Sequence, residues 1–364
     1  MNTTMKRFLL GTTAVVGLGL LIPAPVFAAE PMSLSIDGTV DVKLRIVNQD
    51  DEVASGGRSH VLQTDNAGFN FKARGEADNG LVYGAKIEID ADAGTGTVAF
   101  DEIMVWFSGG WGRLEIGNED GADNIMYNHG ASVMTGGGGF DGGPADAFTI
   151  AAGTTSPDIN GVSDATKITY FTPRINGIQV GLSYTPDTDG EGTDTLATNV
   201  AATGGIQDHI GLGINFVQSF DDVGIRLSYV LSRGDAELNS SKDTNSWSVG
   251  GQVDFGNISA GAGFGDAGDS GELTGSLVSA QTFADFTVRY KDGPMTVSAG
   301  FFSGSAKIAG TTDDDVDIFS VGAGYSVAPG LSVYAGFDLI DVDQAGTASD
   351  NKGTLLTIGT SMSF

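Results

Sequence analysis

The chain has 364 residues, 56 of them Gly and none Cys, with 46 Asp+Glu against 18 Lys+Arg and a formal net charge of −28. Glycine at about twice its usual share excludes a helical bundle, the absence of a Gly-X-Y period excludes collagen, and the acidity excludes a general nucleic-acid binder because phosphate repels it. The lack of Cys removes disulfide and thiolate-zinc frameworks, while 40% apolar residues argue for a folded chain rather than an acidic disordered one.

The N-terminus reads as an address. Lys6 and Arg7 form a basic region, Phe8 to Ile22 carries no charge, and Val26-Phe27-Ala28 offers small residues at the −3 and −1 positions of a cleavage site. A secretory signal over residues 1–28, cut after Ala28, is the expectation. The apolar run is short for a helix spanning about 30 Å of hydrocarbon. Cleavage removes Lys6 and Arg7 and no acid, so the net charge moves from −28 to −30.

The mature chain, 29–364, opens with Ser33 to Val47, SLSIDGTVDVKLRIV. Leu34, Ile36, Val40, Val42, Leu44 and Ile46 share one face; Asp37, Asp41, Lys43 and Arg45 share the other. This is a period-two strand with one apolar side. The pattern predicts 16 strands, at 33–47, 60–77, 81–90, 98–107, 111–118, 166–173, 177–185, 208–220, 223–231, 244–254, 257–264, 280–290, 295–303, 314–325, 331–340 and 352–364. Connections alternate strictly. Tight turns such as Asp78-Asn79-Gly80 and Asp292-Gly293-Pro294 carry hairpin chemistry, and longer polar stretches lie between them, the longest at 119–165. A soluble sandwich has no reason to gather its long loops at one end, whereas a barrel inserted from the periplasm does. Tyr170, Tyr290, Tyr325 and Phe364 at one end and Tyr184 and Tyr229 at the other fit two interfacial girdles on the apolar face. The other face carries charge on strand after strand and must be wet, so the apolar face meets lipid. Only closure then satisfies the backbone. The fold class is all-β, a 16-stranded antiparallel transmembrane β-barrel around water.

On the inner face fall Lys43, Arg45, Lys72, Arg74, Lys86 and Arg113 from the first five strands, with Lys167, Arg226 and Arg289 beyond them. Residues 119–165 are too long for an ordinary connection. They carry Glu119, Asp120, Asp123, Asp141, Asp146, Asp158 and Asp164 among glycines. Folded into the lumen as the third long loop, this segment would set acids against the basic arc. The resulting transverse field would favour ions and dipolar solutes.

The segments SLSIDGTVDVKLRI, WGRLEIGNEDGA at 111–122, GGFDGGPADA at 138–147, ITYFTPRINGIQVGLSYTP at 168–186 and the terminal Phe364 resemble the general porins of Gram-negative outer membranes, most closely the alphaproteobacterial type, over residues 29–364. The resemblance implies a homotrimer in outer-membrane lipid and lipopolysaccharide, a constriction built by the third loop, and Phe364 as an assembly signal. It implies basic constriction residues at Lys43, Arg45, Lys72, Arg74 and Arg113, and passive diffusion of ions and small hydrophilic solutes.

Other chemistry finds less support. No G-x-S-x-G elbow accompanies His60, His129 or His209, so no enzyme is expected. No cofactor is required. Asp120 with Asp123, and Asp313, Asp314 and Asp315, are candidate calcium carboxylates, though none matches an EF-hand or RTX pattern. A secreted Gly/Asp-rich adhesin would explain the signal and the acidity but not the inward bases. A sugar-selective channel would need a file of inward aromatics, for which the alternation offers only Tyr334, Phe302 and Trp106.

Overall fold

A computed structural model describes residues 30–50, 59–92, 97–140, 162, 164–188, 205–238, 241–345 and 350–364. The expected signal peptide and the loop acids Asp141, Asp146 and Asp158 lie outside these residues.

Sixteen strands close into one barrel, each antiparallel to its neighbours in sequence. They are β1 (Glu30–Gln49), β2 (His60–Glu76), β3 (Val82–Asp92), β4 (Thr97–Gly109), β5 (Gly112–Asn118), β6 (Thr166–Phe171), β7 (Ile178–Asp187), β8 (Ile206–Phe220), β9 (Val223–Ala236), β10 (Thr244–Phe255), β11 (Ile258–Asp266), β12 (Val278–Asp292), β13 (Met295–Ile308), β14 (Asp314–Ala328), β15 (Leu331–Asp343) and β16 (Asn351–Ser363). Every strand expected from the alternation is present. β1 and β16 seal the barrel in a register that sets Thr39 opposite Ser363, Lys43 opposite Gly359 and Gln49 opposite Gly353. Phe364 finishes the seam: its amide donates to the Gly38 carbonyl at 3.0 Å and its ring packs on Phe69. Closure leaves no edge strand to be satisfied in lipid.

The short turns follow from local chemistry. Asp221, in the β8–β9 turn, takes φ 50°, a left-handed conformation that Asp tolerates. Gly330, in the β14–β15 turn, takes φ 75°, and a Cβ there would meet the Ser363 carbonyl.

Facing follows the period of two. On β12, Phe286, Val288 and Tyr290 are exposed on the outside, while Asp285 and Thr287 are buried inside. Lys43, Arg45 and Lys167 are buried between strand positions where Val42, Ile46 and Ile168 are exposed, and Tyr170, Tyr229, Tyr290, Tyr325 and Phe364 sit exposed on the outer face.

One region departs from the simple pattern. Near the extracellular ends of β14–β16 the polarity inverts. Val316, Ile318, Ile340, Val342 and Leu355 point inward and are buried, whereas Asp341, Asp343 and Lys352 face out as an ion-paired group. The reason is strand length. β14 has 15 residues, and about 9–11 suffice to cross the hydrocarbon. Beyond Phe319 and Leu339 the outer face meets water rather than acyl chains, so carboxylates move out and apolar groups move in. The inward Val47, Phe283 and Phe302 join this cluster.

Candidate pore-lining site

The chain leaves β5 at Asn118 and enters the third loop. Its first part runs along the inner face of the wall through one turn of helix, α1 (Ala122–Ile125), and a short 3-10 turn, Ala131–Val133. Inward hydroxyl, amide and carboxylate groups receive it strand by strand. The Ala122 amide donates to Ser183 on β7 at 3.2 Å, Asn128 to Ser228 on β9 at 2.8 Å, and Ala131 to Asp285 on β12 at 2.7 Å. Thr135 donates to Ser298 on β13 at 3.1 Å, Gly139 to Asp338 on β15 at 3.4 Å, and Gln252 on β10 donates to the His129 carbonyl at 3.0 Å.

Between these partners the wall is glycine. A Cβ at Gly250 or Gly322 would collide with the carbonyls of Asn128 and Thr135, and one at Gly261 would lie 2.8 Å from that of His129. The inner wall lacks side chains where the loop backbone rests on it. At the far end Phe140 stacks on Phe302, with ring centroids 5.7 Å apart, inside the apolar cluster.

The structure brings some of the sequence-assigned charges together and separates others. Lys86 is a hub. It pairs with Glu88 at 3.0 Å, with the loop residue Glu119 at 3.4 Å, and with Glu102. Lys72 pairs with Asp37 on β1 at 2.9 Å, and Arg74 lies 3.7 Å from Glu76. Arg113 pairs with Glu115 and lies over Trp106, 4.5 Å from its ring centroid, a cation–π contact. Lys43 and Arg45 line a recess, about 370 Å³ in volume, with Asp41, Gly136 to Gly139, Tyr334 and Asp338. Most of the basic arc therefore faces acids of its own wall, and among the described loop acids Glu119 is the one that reaches it.

Asp123 takes another position. It is buried against β7–β9, with Oδ2 3.9 Å from His209 Nε2, and that same nitrogen lies 2.6 Å from Ser232 Oγ. Serine and aspartate converge on one imidazole nitrogen, so this is not a relay triad, in which they occupy opposite nitrogens. Burial raises the Asp123 carboxyl above the usual range. Asp120 is pushed up to about 6 by burial, then by Asp164 and Glu119, with Lys167 opposing. Burial holds His129 down at about 4. Its Nδ1 is 3.8 Å from Asp285, and its ring stacks on Tyr127 at 4.5 Å.

The candidate calcium residues do not converge as one set. Asp313 and Asp315 line an open cavity with Asp343 and Asp350. Asp314 instead accepts from the Ala345 amide at 2.5 Å. Among the described residues, the one trio of carboxylates with oxygens mutually within 4.8 Å is Glu88, Asp90 and Asp101. The sequence did not suggest it because Asp101 reaches the i, i+2 pair of β3 across a register shift between β3 and β4. The inner-face aromatics also exceed the expectation. Tyr334, Phe302 and Trp106 are joined by Phe171, packed on α1, and by Phe283.

A closed sixteen-stranded barrel with an apolar outer belt and a charged inner wall is an outer-membrane β-barrel. The chain belongs to the Gram-negative porin family, whose profile matches residues 11–345, and its place is the outer membrane. An uncharacterised protein of Rickettsia conorii is 24% identical, with 99% of this chain and 100% of that protein covered. Among solved structures, the anion-selective porin of Comamonas acidovorans superposes with a TM-score of 0.67 at 16% identity, covering 92% of this chain and 100% of that one. The in-vitro folded, trimeric form of Vibrio cholerae OmpT gives 0.65 at 13% identity over the same shares. A mutant of the Rh. blastica porin gives 0.58 at 18% identity, covering 91% and 100%.

Proposed function

We propose that this porin is a passive diffusion channel for ions and small hydrophilic solutes, narrowed by the third loop and preferring cations. The observation that carries the reading is the arrangement around Lys86, where Glu88, Glu102 and Glu119 converge on one ammonium. With Asp90, Asp101 and Glu115 nearby in the wall, carboxylates outnumber bases along β3–β5, so the local potential favours cations. The chain of hydrogen bonds from Ser183 to Asp338 supports a loop held inside the barrel along the wall from β7 to β15. Phe283 and Phe302 are buried in the apolar cluster rather than set along a free path, which favours general diffusion over a sugar slide. The working unit is a homotrimer, exported with a signal peptide cleaved after Ala28 and seated among lipid and lipopolysaccharide.

Reconstitution into a planar bilayer tests this. Stepwise ohmic conductance, with a reversal potential of cation sign in a KCl gradient, is the expected result. A folded, detergent-soluble protein that leaves the bilayer silent overturns the channel, and an anion-sign reversal potential overturns the preference.

A further inference from the structure

The recess at the tip of the described loop brings together two bases and two carboxylates carried by β1 and β15. Here the inward residues of β1 run Asp41, Lys43, Arg45, two positions apart, so successive charges are about 7 Å apart along the axis. The register extends this order across the seam. Lys43 is level with Gly359 and Tyr334, and Arg45 with Thr357 and Gly336. Asp338 stands one inward step higher, level with Leu355 and Val47. The recess therefore presents, in axial order, a carboxylate, an ammonium, a guanidinium and a second carboxylate.

The scaffold holds these groups in place. Lys43 and Arg45 are 9% and 3% exposed. Tyr334 Oη donates to Asp41. Asp338 accepts from Ser320 Oγ at 2.5 Å and from the Gly139 amide at 3.4 Å. Gly336 and Gly359 open the space: a Cβ at the first would strike Gly137 and Gly138, and at the second the Tyr334 ring. The volume, about 370 Å³, falls within the range of small-molecule sites.

We propose that this recess is a binding subsite for small zwitterions, namely amino acids and short peptides. Their carboxylate lies on Lys43 and Arg45, and their ammonium on Asp41 or Asp338. The argument is one of exclusion as much as attraction. A plain anion gains the two bases but is repelled by the flanking carboxylates, and a plain cation meets the reverse. A molecule carrying both charges a few bonds apart satisfies both. Arg45 supplies planar, bidentate recognition of carboxylate that Lys43 alone cannot. The inference rests on the channel reading and deepens it by naming a solute class.

The test is solute block of single-channel current, with glycylglycine as the zwitterion, acetylglycine as the anion, glycylglycinamide as the cation and erythritol as the neutral control. Glycylglycine should reduce the current saturably, at concentrations where the other three have no effect beyond that of added viscosity. Arg45→Gln should weaken that block about tenfold, the loss of one charge-assisted hydrogen bond. Asp338→Asn, a smaller perturbation of the scaffold, should weaken it while leaving acetylglycine no worse a blocker. Equal block by glycylglycine and acetylglycine, block indistinguishable from erythritol, or block unchanged in both variants overturns the proposal. A wild-type protein that forms no channel refutes the porin reading instead, so the two failures are distinguishable.

Discussion

Lys86→Met removes the one ammonium on which Glu88, Glu102 and Glu119 converge. If the lining governs selectivity, the channel should become more cation-preferring. A unit charge about 7 Å from a permeating ion is worth about 0.6 kcal/mol at the dielectric constant of water and more in a narrow pore. Screening at 0.1 M salt, with a Debye length of about 10 Å, removes roughly half of it. Allowing for both effects, about 0.5 kcal/mol is gained by a cation and lost by an anion. The permeability ratio should then rise about fivefold, since 1.4 kcal/mol is tenfold. The assay is the reversal potential across a bilayer in a KCl gradient. The double variant Lys86→Met with Glu102→Gln should return most of the way to the wild type, because one charge of each sign is then gone. A single variant that folds and conducts with an unchanged reversal potential would take Lys86 out of the ion path, and a shift towards anions would refute the electrostatic reasoning itself.

Lowering the pH from 7 to 5 should reduce cation preference with a midpoint near 6, the value to which burial and then Asp164 and Glu119 raise Asp120; Asp120→Asn should flatten that step in the reversal potential. The same shift makes the protonated form the better folded one, so the loop's contribution to stability is full below the ordinary carboxyl range and falls as pH rises through about 6, which a thermal unfolding series would read. Gly322→Val should force Thr135 off the wall and cost about 1–3 kcal/mol of overpacking, whereas Gly324→Ala, whose new Cβ meets nothing nearer than 3.9 Å, should leave both melting and conductance as they are. Deleting residues 136–143 removes the glycine tip and Phe140; unit conductance should rise, and an unchanged value would deny the loop a role in narrowing the passage.

The barrel was legible because its signals are local and redundant. Leu34 through Ile46 against Asp37 through Arg45 is readable within one strand, and the alternation of short and long connections supplies the orientation. The loop's bed was not legible. Asn128 meets Ser228, Ala131 meets Asp285 and Gly139 meets Asp338 across separations of 100 to 199 residues, and each partner alone is an ordinary polar inward residue. The pairing of the bases was hidden for a related reason. A period of two says which face a side chain occupies but not which neighbour it finds, so Lys86 and Arg113 read as an uncompensated arc although Glu102 stood on the adjacent strand and Glu115 two residues further along Arg113's own strand.

The glycines join these levels. As composition they only exclude helices. On the inner wall, Gly250, Gly261, Gly322 and Gly336 are sites where a second backbone lies against the first, and a side chain at any of them would lift the loop towards the axis. Open area across a barrel of fixed strand number depends on how closely the loop hugs its wall. On the proposed reading, the residue that contributes no charge and no hydrogen-bonding side chain sets the width, while the carboxylates around Lys86 set the sign of what passes. Size and charge selection would then be carried by different residues, and substitutions in one set should move conductance without moving the reversal potential.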